Sequence, residues 1–131
     1  MPTLFLFGIA DPIMAAKSRF MVVLSTAPSK KTGRDIAREI VSAGLAACVN
    51  IVPGLVSIYK WDGRLEESDE VLLLIKTSRE RVETVVEKIT SLHPYDVPEV
   101  IALPIEAGHQ PYLEWINSIV SSSRGKEGRT K

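Results

Sequence analysis

Residues 46–63 of the chain read A-A-C-V-N-I-V-P-G-L-V-S-I-Y-K-W-D-G, and this stretch decides the fold. Two runs rich in β-branched and aromatic residues flank a Pro-Gly pair, and the second run ends in an Asp-Gly dipeptide. Asp-Gly after such a run is typical of a tight β-hairpin turn. We therefore expect a strand that turns at Pro53-Gly54, continues, and then reverses at Asp62-Gly63 into a long hairpin.

The segments on either side of this hairpin alternate between strand and helix patterns. Continuous apolar runs bounded by Pro or Gly predict buried strands, and apolar residues at helical spacing predict helices. We predict, in chain order, a strand at residues 20–25, a helix at 32–44, the hairpin strands at 48–61 and 64–77, a helix at 77–92, a strand at 97–105 and a helix from residue 111.

Local end signals support the three helices. Thr32 with Asp35, and Thr77 with Glu80, match the capping-box pattern that begins many helices. A proline at position 111 fits the first turn of the last helix. We predict that the apolar face of this last helix comprises Tyr112, Trp115, Ile116 and Ile119.

The predicted order is that of the α+β ferredoxin-like βαββαβ sandwich, with a long hairpin and an extra C-terminal helix. In that fold two helices cover one face of an antiparallel sheet. The runs at residues 21–24 and 71–75 are apolar throughout, so the second face would expose a larger apolar patch than monomers usually tolerate. We expect other copies of the chain, or the last helix, to cover it, and the hairpin to pair with a neighbour's edge strand.

The composition limits the chain to a few classes. Its 131 residues suffice for one domain, placed at 20–120 between a poorly ordered extension at 1–19 and a flexible Ser/Gly/charged tail at 121–131. Sixteen basic and sixteen acidic residues give zero net charge, so no global field favours nucleic acid. The apolar run at 4–10 is too short to span a membrane and makes a weak secretory signal. One cysteine and two histidines exclude a paired-cysteine zinc site within one chain.

Cys48 and His93 are the first candidates for chemistry. Cys48 fits a metal ligand, a nucleophile or a small core residue, and His93 fits a ligand, a base or a residue that ends a helix. Thiolate and imidazole suit copper or zinc, whereas the carboxylates of Glu67, Glu70 and Glu99 suit harder ions. In an oligomer the ligands could come from different chains, so these alternatives stay open.

Other polar and aromatic residues predict a pocket or an interface. Lys76 follows the most apolar strand, so it must reach solvent, pair with a carboxylate or meet an anion. Tyr59, Trp61 and Tyr95 would line a concave site or hold a subunit interface. The mostly acidic run R-L-E-E-S-D-E at residues 64–70 is expected to project into solvent.

Five linked runs of the sequence form one consistent pattern. They are L-S-T-A-P, G-L-A-A-C-V-N-I-V-P-G, S-I-Y-K-W-D-G, E-V-L-L-L-I-K-T and H-P-Y-D-V-P-E-V-I-A-L-P-I, in this order. Together they resemble the CutA family of divalent-cation tolerance proteins over residues 20–120. The resemblance implies a ferredoxin-like subunit in a tight homotrimer, located in the cytoplasm, with no catalytic reaction and no nucleic-acid or membrane partner.

The resemblance also implies a ligand and a site. It implies binding of copper or another divalent metal at inter-subunit clefts, with no obligatory cofactor. The metal ligands would be Cys48, His93 and Glu99, and the pocket would contain Tyr59, Trp61, Lys76 and Tyr95. The alternative is a trimeric signalling or scaffold protein whose clefts bind a small metabolite or whose hairpin arms bind a protein partner.

Overall fold

The computed structural model of the chain describes residues 18–121. Four strands and three helices lie in this range: β1 (Phe20–Ala27), α1 (Lys30–Ser42), β2 (Cys48–Trp61), β3 (Arg64–Ser78), α2 (Val82–Leu92), β4 (Val100–Pro104) and α3 (Gln110–Val120). The predicted order of elements is confirmed. The predictions of a poorly ordered extension and a flexible tail concern residues that, apart from 18, 19 and 121, lie outside the described range.

The four strands form one antiparallel sheet in the order β2-β3-β1-β4. The predicted ferredoxin-like α+β architecture is therefore confirmed. Alternate residues of the strands project towards α1 and α2, because successive side chains of a strand point to opposite faces. The core between sheet and helices includes side chains that are at most 1% exposed: Val23, Ile36, Ile40, Leu73, Ile75, Val85 and Ile89.

The second face of the sheet is only partly covered. At one end of it, Ile116 and Val120 of α3 are fully buried and pack with Ala47. At the β4 edge, Ile101 is 51% exposed and Leu103 is 46% exposed. The last helix thus covers one end of this apolar face and leaves the β4 edge open within the chain.

The predicted apolar face of α3 is partly wrong. Ile116 is buried as expected, but Tyr112 and Trp115 are exposed and stack on each other with their ring centroids 5.6 Å apart. The buried side chains are Ile116 and Val120, with Leu113 and, as predicted, Ile119 partly buried beside them. The stripe that packs on the sheet is therefore rotated towards the 113, 116 and 120 positions, which lie on one side of a helix.

The hairpin is formed by the two longest strands among residues 18–121, of 14 and 15 residues. β2 pairs with β3 from Cys48 opposite Lys76 to Trp61 opposite Arg64. The turn between the strands places Asp62 and Gly63 at positive φ angles, 56° and 78°. This is the backbone that a two-residue hairpin turn requires, so the Asp-Gly prediction is confirmed.

Pro53 and Gly54 do not turn the chain, so that prediction is wrong. The pairing register shifts between Val52 and Leu55, which makes the Pro-Gly pair a β-bulge inside one continuous strand. Gly54 has φ of 84°, a conformation that costs glycine little. The bulge marks the start of the protruding part of the hairpin, residues 55–70, which we call the arm.

Some element ends differ from the predictions. Ser29, not Thr32, caps α1, because its side-chain oxygen accepts the backbone N–H of Thr32 at 3.1 Å. Thr77 stays in β3, where its hydroxyl donates to the carbonyl of Leu45 at 2.7 Å, and a 3₁₀ turn at Arg79–Arg81 leads into α2. The strand predicted at 97–105 is shorter, Val100–Pro104, and lies at a sheet edge as its prolines suggested.

Candidate functional site

A cleft of about 790 Å³ lies between the arm and residues 93–99, which we call the 93–99 loop. Carboxylates line both walls: Glu66 and Glu70 on the arm, and Asp96 and Glu99 on the loop. Among the described residues that line the cleft, Lys60 supplies the only ammonium. Neither of the two ion pairs found within residues 18–121 involves a group of the cleft. The cleft therefore has an excess of negative charge that attracts cations.

Strand register explains why these arm residues meet. Tyr59 pairs directly with Glu66, so both project from the same side of the arm. Trp61 and Glu70 lie an even number of residues away on their strands and share that side. Glu67 alternates to the opposite side and does not line the cleft. The acidic run of β3 is thereby divided between the cleft and the other side of the arm.

Glu70 is the best-held carboxylate of the cleft. It is only 7% exposed, although the sequence predicted that this segment projects into solvent. Its Oε1 accepts a 2.6 Å hydrogen bond from the hydroxyl of Ser57, and its Oε2 accepts a 2.7 Å bond from the hydroxyl of Tyr95. A buried carboxylate is costly unless its oxygens are bonded, and these two donors satisfy it.

Tyr95 connects the 93–99 loop to the arm. Burial raises the pKa of the Tyr95 phenol to about 12, and the hydrogen bond to Glu70 and the nearby carboxylate charge act in the same direction. The phenol is thus held in its neutral, proton-donating form. The hydroxyl of Tyr95 thus holds the two walls of the cleft together through a hydrogen bond.

His93 is buried behind the cleft and holds the loop in place. Its Nε2 lies 2.7 Å from the carbonyl oxygen of Thr26, and its Nδ1 accepts the backbone N–H of Tyr95 at 3.1 Å. A carbonyl can only accept, so the ring is the neutral tautomer with the proton on Nε2. Both nitrogens are engaged, and neither offers a free lone pair to a metal ion.

Glu99 lies at the end of the loop beside β1. Its backbone carbonyl accepts a 2.7 Å hydrogen bond from the hydroxyl of Ser25, which is fully buried. The side chain of Glu99 is exposed and lines the cleft. The position of this carboxylate is therefore fixed through its backbone while its oxygens stay available.

Cys48 and Lys76 lie elsewhere. They are register partners at the other end of the sheet, where the ammonium of Lys76 is 3.9 Å from the Cys48 Sγ and also donates to the side-chain carbonyl of Asn50. Burial, followed by the neighbouring Cys48, raises the pKa of the Tyr112 phenol beside this pair. The cluster is contained between β2, β3 and α3.

The predicted metal ligands are not brought together within one chain. Cys48 is level with Val22 of β1 through Lys76, whereas His93 contacts Thr26, four residues further along β1. Four strand residues span about 13 Å. Across residues 18–121, no three of His, Cys, Asp or Glu lie grouped as metal ligands.

Apart from Cys48 and Lys76, the predicted site residues lie in or beside the cleft. Tyr59, Trp61, Tyr95 and Glu99 all line the cleft, and His93 supports it from behind. Sequence reasoning placed Glu70 among the hard-ion ligands but expected it, like Glu66, in solvent. It gave no role to the other polar lining residues: Thr26, Ser57, Lys60 and Asp96. The available signal was the position of Glu70 next to the apolar run V-L-L-L-I, where the strand enters the buried sheet.

The family follows from a direct sequence match. The family model described as the CutA1 divalent ion tolerance protein matches residues 21–119. The chain belongs to the CutA1 family. A Xenopus laevis relative named Protein CutA homolog is 53% identical over 117 residues, which cover 86% of this chain and 78% of that protein. An Arabidopsis thaliana relative named Protein CutA, chloroplastic, is 48% identical over 98 residues, 75% of this chain and 54% of the relative. The chain thus spans about half the length of the Arabidopsis CutA protein.

Solved CutA structures share this fold. The divalent cation tolerance protein (Cut A1) from Thermus thermophilus matches with a TM-score of 0.75 and 49% identity, over 76% of this chain and 97% of that one. The periplasmic divalent cation tolerance protein CutA from Archaeoglobus fulgidus matches with a TM-score of 0.75 and 35% identity, over 77% and 98% of the two chains. The CutA1 fold is therefore the fold of this chain.

The comparisons do not support one cellular compartment. Names among the relatives include chloroplastic and periplasmic, and neither fits the expected cytoplasmic location. No helix among residues 18–121 is both long and apolar enough to cross a bilayer.

Proposed function

We propose that this chain forms a homotrimer that binds divalent cations in its acidic clefts and contributes to tolerance of those cations. The excess of carboxylates over ammonium groups in the cleft is the observation that carries the proposal. Because the chain belongs to a family described by divalent ion tolerance, we expect the bound cation to be divalent. Calorimetric titration with divalent metal ions tests the proposal.

The uncovered sheet face supports assembly. Val52, Ile101 and Leu103 are each at least 40% exposed, and β2 and β4 are both edge strands. Burying apolar side chains contributes about 25 cal/mol per Å² of area removed from water, and pairing edge strands satisfies their free backbone groups. The number three comes from the resemblance of the sequence to the CutA family.

The chemistry of the cleft favours a hard divalent ion. Carboxylate oxygens suit ions such as Mg²⁺ and Mn²⁺, and such ions keep several of their water ligands. One or two carboxylates can then hold a hydrated ion without a dense cluster of protein ligands. Glu99 on the loop and Glu66 on the arm both line the cleft, Glu99 exposed and Glu66 half-buried, so we assign them this role. A neighbouring copy would complete the site.

Copper binding remains a prediction, and it would need different ligands from those of the cleft. Copper favours thiolate and imidazole, but His93 has both ring nitrogens in hydrogen bonds and Cys48 lies at the other end of the sheet. A copper site at Cys48 would have to draw its remaining ligands from a neighbouring chain. The same separation prevents His93 from acting as a base for Cys48 within one chain, and we propose no catalytic step.

The alternative function, a signalling or scaffold protein that binds a small metabolite, is favoured by the aromatic lining of the cleft, Tyr59, Trp61 and Tyr95. A screen of thermal unfolding separates the two functions, because a ligand that binds only the folded state raises apparent stability. Stabilisation by organic anions or nucleotides, without stabilisation by metal ions, would favour the alternative.

Cytoplasmic location is likewise still a prediction, and a fluorescent fusion of the full chain tests it.

The direct test is calorimetric titration of the metal-free protein with Mn²⁺ and, separately, Cu²⁺. We expect saturable Mn²⁺ binding by the wild type. Glu66→Gln and Glu99→Gln should each weaken it about tenfold, equivalent to about 1.4 kcal/mol. Glu67→Gln is the matched control, since Glu67 is the next residue of the same strand but is exposed on the opposite side of the arm.

A further variant tests the thiol that the structure separates from the cleft. Cys48→Ala should leave the affinity for Mn²⁺ within about twofold of the wild type, provided that the variant is folded. If the Glu66, Glu99 and Glu67 variants all bind Mn²⁺ equally, the cleft is not the site. If Cys48→Ala alone abolishes binding, the site lies at the other end of the sheet.

A further inference from the structure

The cleft is much larger than a single metal ion requires. A volume of about 790 Å³ falls within the range of about 300–1,000 Å³ that is typical of sites for small organic molecules. The two walls are held at a fixed separation, because hydrogen bonds of Glu70, Tyr95 and His93 connect the arm, the loop and β1. The space therefore exists before any ligand binds.

The aromatic side chains of the cleft remain partly open to a ligand. Tyr59 is 42% exposed, Trp61 is 54% exposed and Tyr95 is 36% exposed. The hydroxyls of both tyrosines are already used, that of Tyr59 with Ser68 at 3.0 Å and that of Tyr95 with Glu70 at 2.7 Å. What these residues offer a ligand is chiefly the π surface of their rings, which attracts cations.

Apolar surface continues beside the rings. Val97 also lines the cleft, and its side chain is 69% exposed. A metal ion that keeps its water shell gains nothing from such surface, whereas an organic body gains from covering it. The carboxylates supply the opposite charge, so apolar and anionic groups face the same space.

We propose that the cleft binds a small organic cation, an ammonium or guanidinium group carried on an apolar body. The aromatic rings of Tyr59 and Trp61 contact the cationic group, and the carboxylates of Glu66 and Glu99 neutralise it. The inference goes beyond the binding of divalent metal ions and does not depend on it.

The test compares two probes of nearly identical shape. Choline carries a quaternary ammonium, and 3,3-dimethylbutan-1-ol has carbon in place of that nitrogen. Titrations of the full chain, followed by calorimetry, should show saturable binding of choline, with the neutral alcohol at least about tenfold weaker because it lacks the cation–π and carboxylate attraction. Methylguanidine serves as the second cationic probe.

Two tryptophan variants complete the design. Trp61→Leu should weaken the choline affinity several-fold and leave that for Mn²⁺ unchanged, whereas Trp115→Leu, a change on α3 outside the cleft, should affect neither. The inference fails if neither cationic probe binds saturably at millimolar concentration, if the neutral alcohol binds as tightly as choline, or if Trp61→Leu has no effect. Failure of Mn²⁺ binding alone would remove the metal proposal and leave this one standing.

Discussion

The hydroxyl of Tyr95 donates a 2.7 Å hydrogen bond to Oε2 of Glu70, and this contact joins the 93–99 loop to the arm. Glu70 is almost fully buried, and Ser57 satisfies its other oxygen. The backbone N–H of Tyr95 is in turn bonded to His93, which is bonded to Thr26 of β1. These hydrogen bonds run from the arm through the 93–99 loop to β1 and thus set the width of the cleft.

Tyr95→Phe should destabilise the protein by about 1–3 kcal/mol, because it removes one donor from a buried carboxylate and leaves that oxygen unsatisfied. Urea unfolding at a fixed protomer concentration measures the loss. Tyr59→Phe is the matched control: its hydroxyl bonds Ser68 at an exposed position, so the expected change is within about 0.5 kcal/mol. Equal losses in the free energy of unfolding for the two variants would show that the contact between Tyr95 and Glu70 stabilises the fold no more than an exposed hydrogen bond does.

Tyr95 should also ionise late in an alkaline titration. Its pKa is raised from 10.0 to about 12, first by burial and then by Glu70. Since the folded pKa exceeds the unfolded one, the associated stability is complete below about pH 10 and is lost as the pH rises through about 12. The ultraviolet absorbance of phenolate, taken as the difference between wild type and Tyr95→Phe, isolates this group.

Glu70→Gln separates the two causes of the raised pKa of Tyr95, burial and the neighbouring carboxylate. Removing the carboxylate charge should lower the pKa of Tyr95 but keep it above the ordinary value, because burial is the larger cause. A return of the Tyr95 pKa to its ordinary value would show that Glu70, not burial, dominates.

Much of this fold could be predicted from the sequence, because the signals are local. The apolar periods, the Asp62-Gly63 turn and the prolines at the β4 edge each depend on nearby residues, and the structure agrees with them. The Pro53-Gly54 bulge could not, since a turn and a bulge share the same dipeptide and only the pairing with β3 distinguishes them.

The site was harder to predict because it depends on register. Alternation turns Glu66 and Glu70 into the cleft and leaves Glu67 outside it, and nothing in a run of acidic residues shows which member faces inward. Cys48 and His93 drew attention by their chemistry, but their separation follows from where each strand begins and ends. Residue type suggested the candidates, and only three-dimensional placement selected among them.

His93→Ala should destabilise the protein by at least about 2 kcal/mol, because it leaves the buried carbonyl of Thr26 and the partly buried N–H of Tyr95 without their partner. His109→Ala provides the control, since His109 is exposed at the start of α3 and makes no side-chain capping bond. Thermal unfolding of the two variants checks this. Comparable midpoints for both would contradict a structural role for His93.

Ile101→Glu should weaken assembly, because it places a charge on the uncovered apolar face at the β4 edge. Light scattering of the wild type is expected to give the mass of a trimer, and of the variant a smaller mass at micromolar concentration. Leu92→Glu alters a side chain of similar exposure, 39%, at the end of α2, and should keep the wild-type mass. A monomeric wild type would contradict the assembly proposal outright.

Binding of divalent cations in the acidic cleft can be tested with the two tryptophans of the chain as internal reporters. Trp61 lines the cleft, whereas Trp115 lies on α3 beside Tyr112. Paramagnetic Mn²⁺ broadens nuclear resonance signals close to it, and Trp115→Phe assigns the two indole N–H signals. We expect substoichiometric Mn²⁺ to broaden the signal of Trp61 and to leave that of Trp115 sharp. Broadening of the Trp115 signal before that of Trp61, or of neither signal, would contradict cation binding in the cleft.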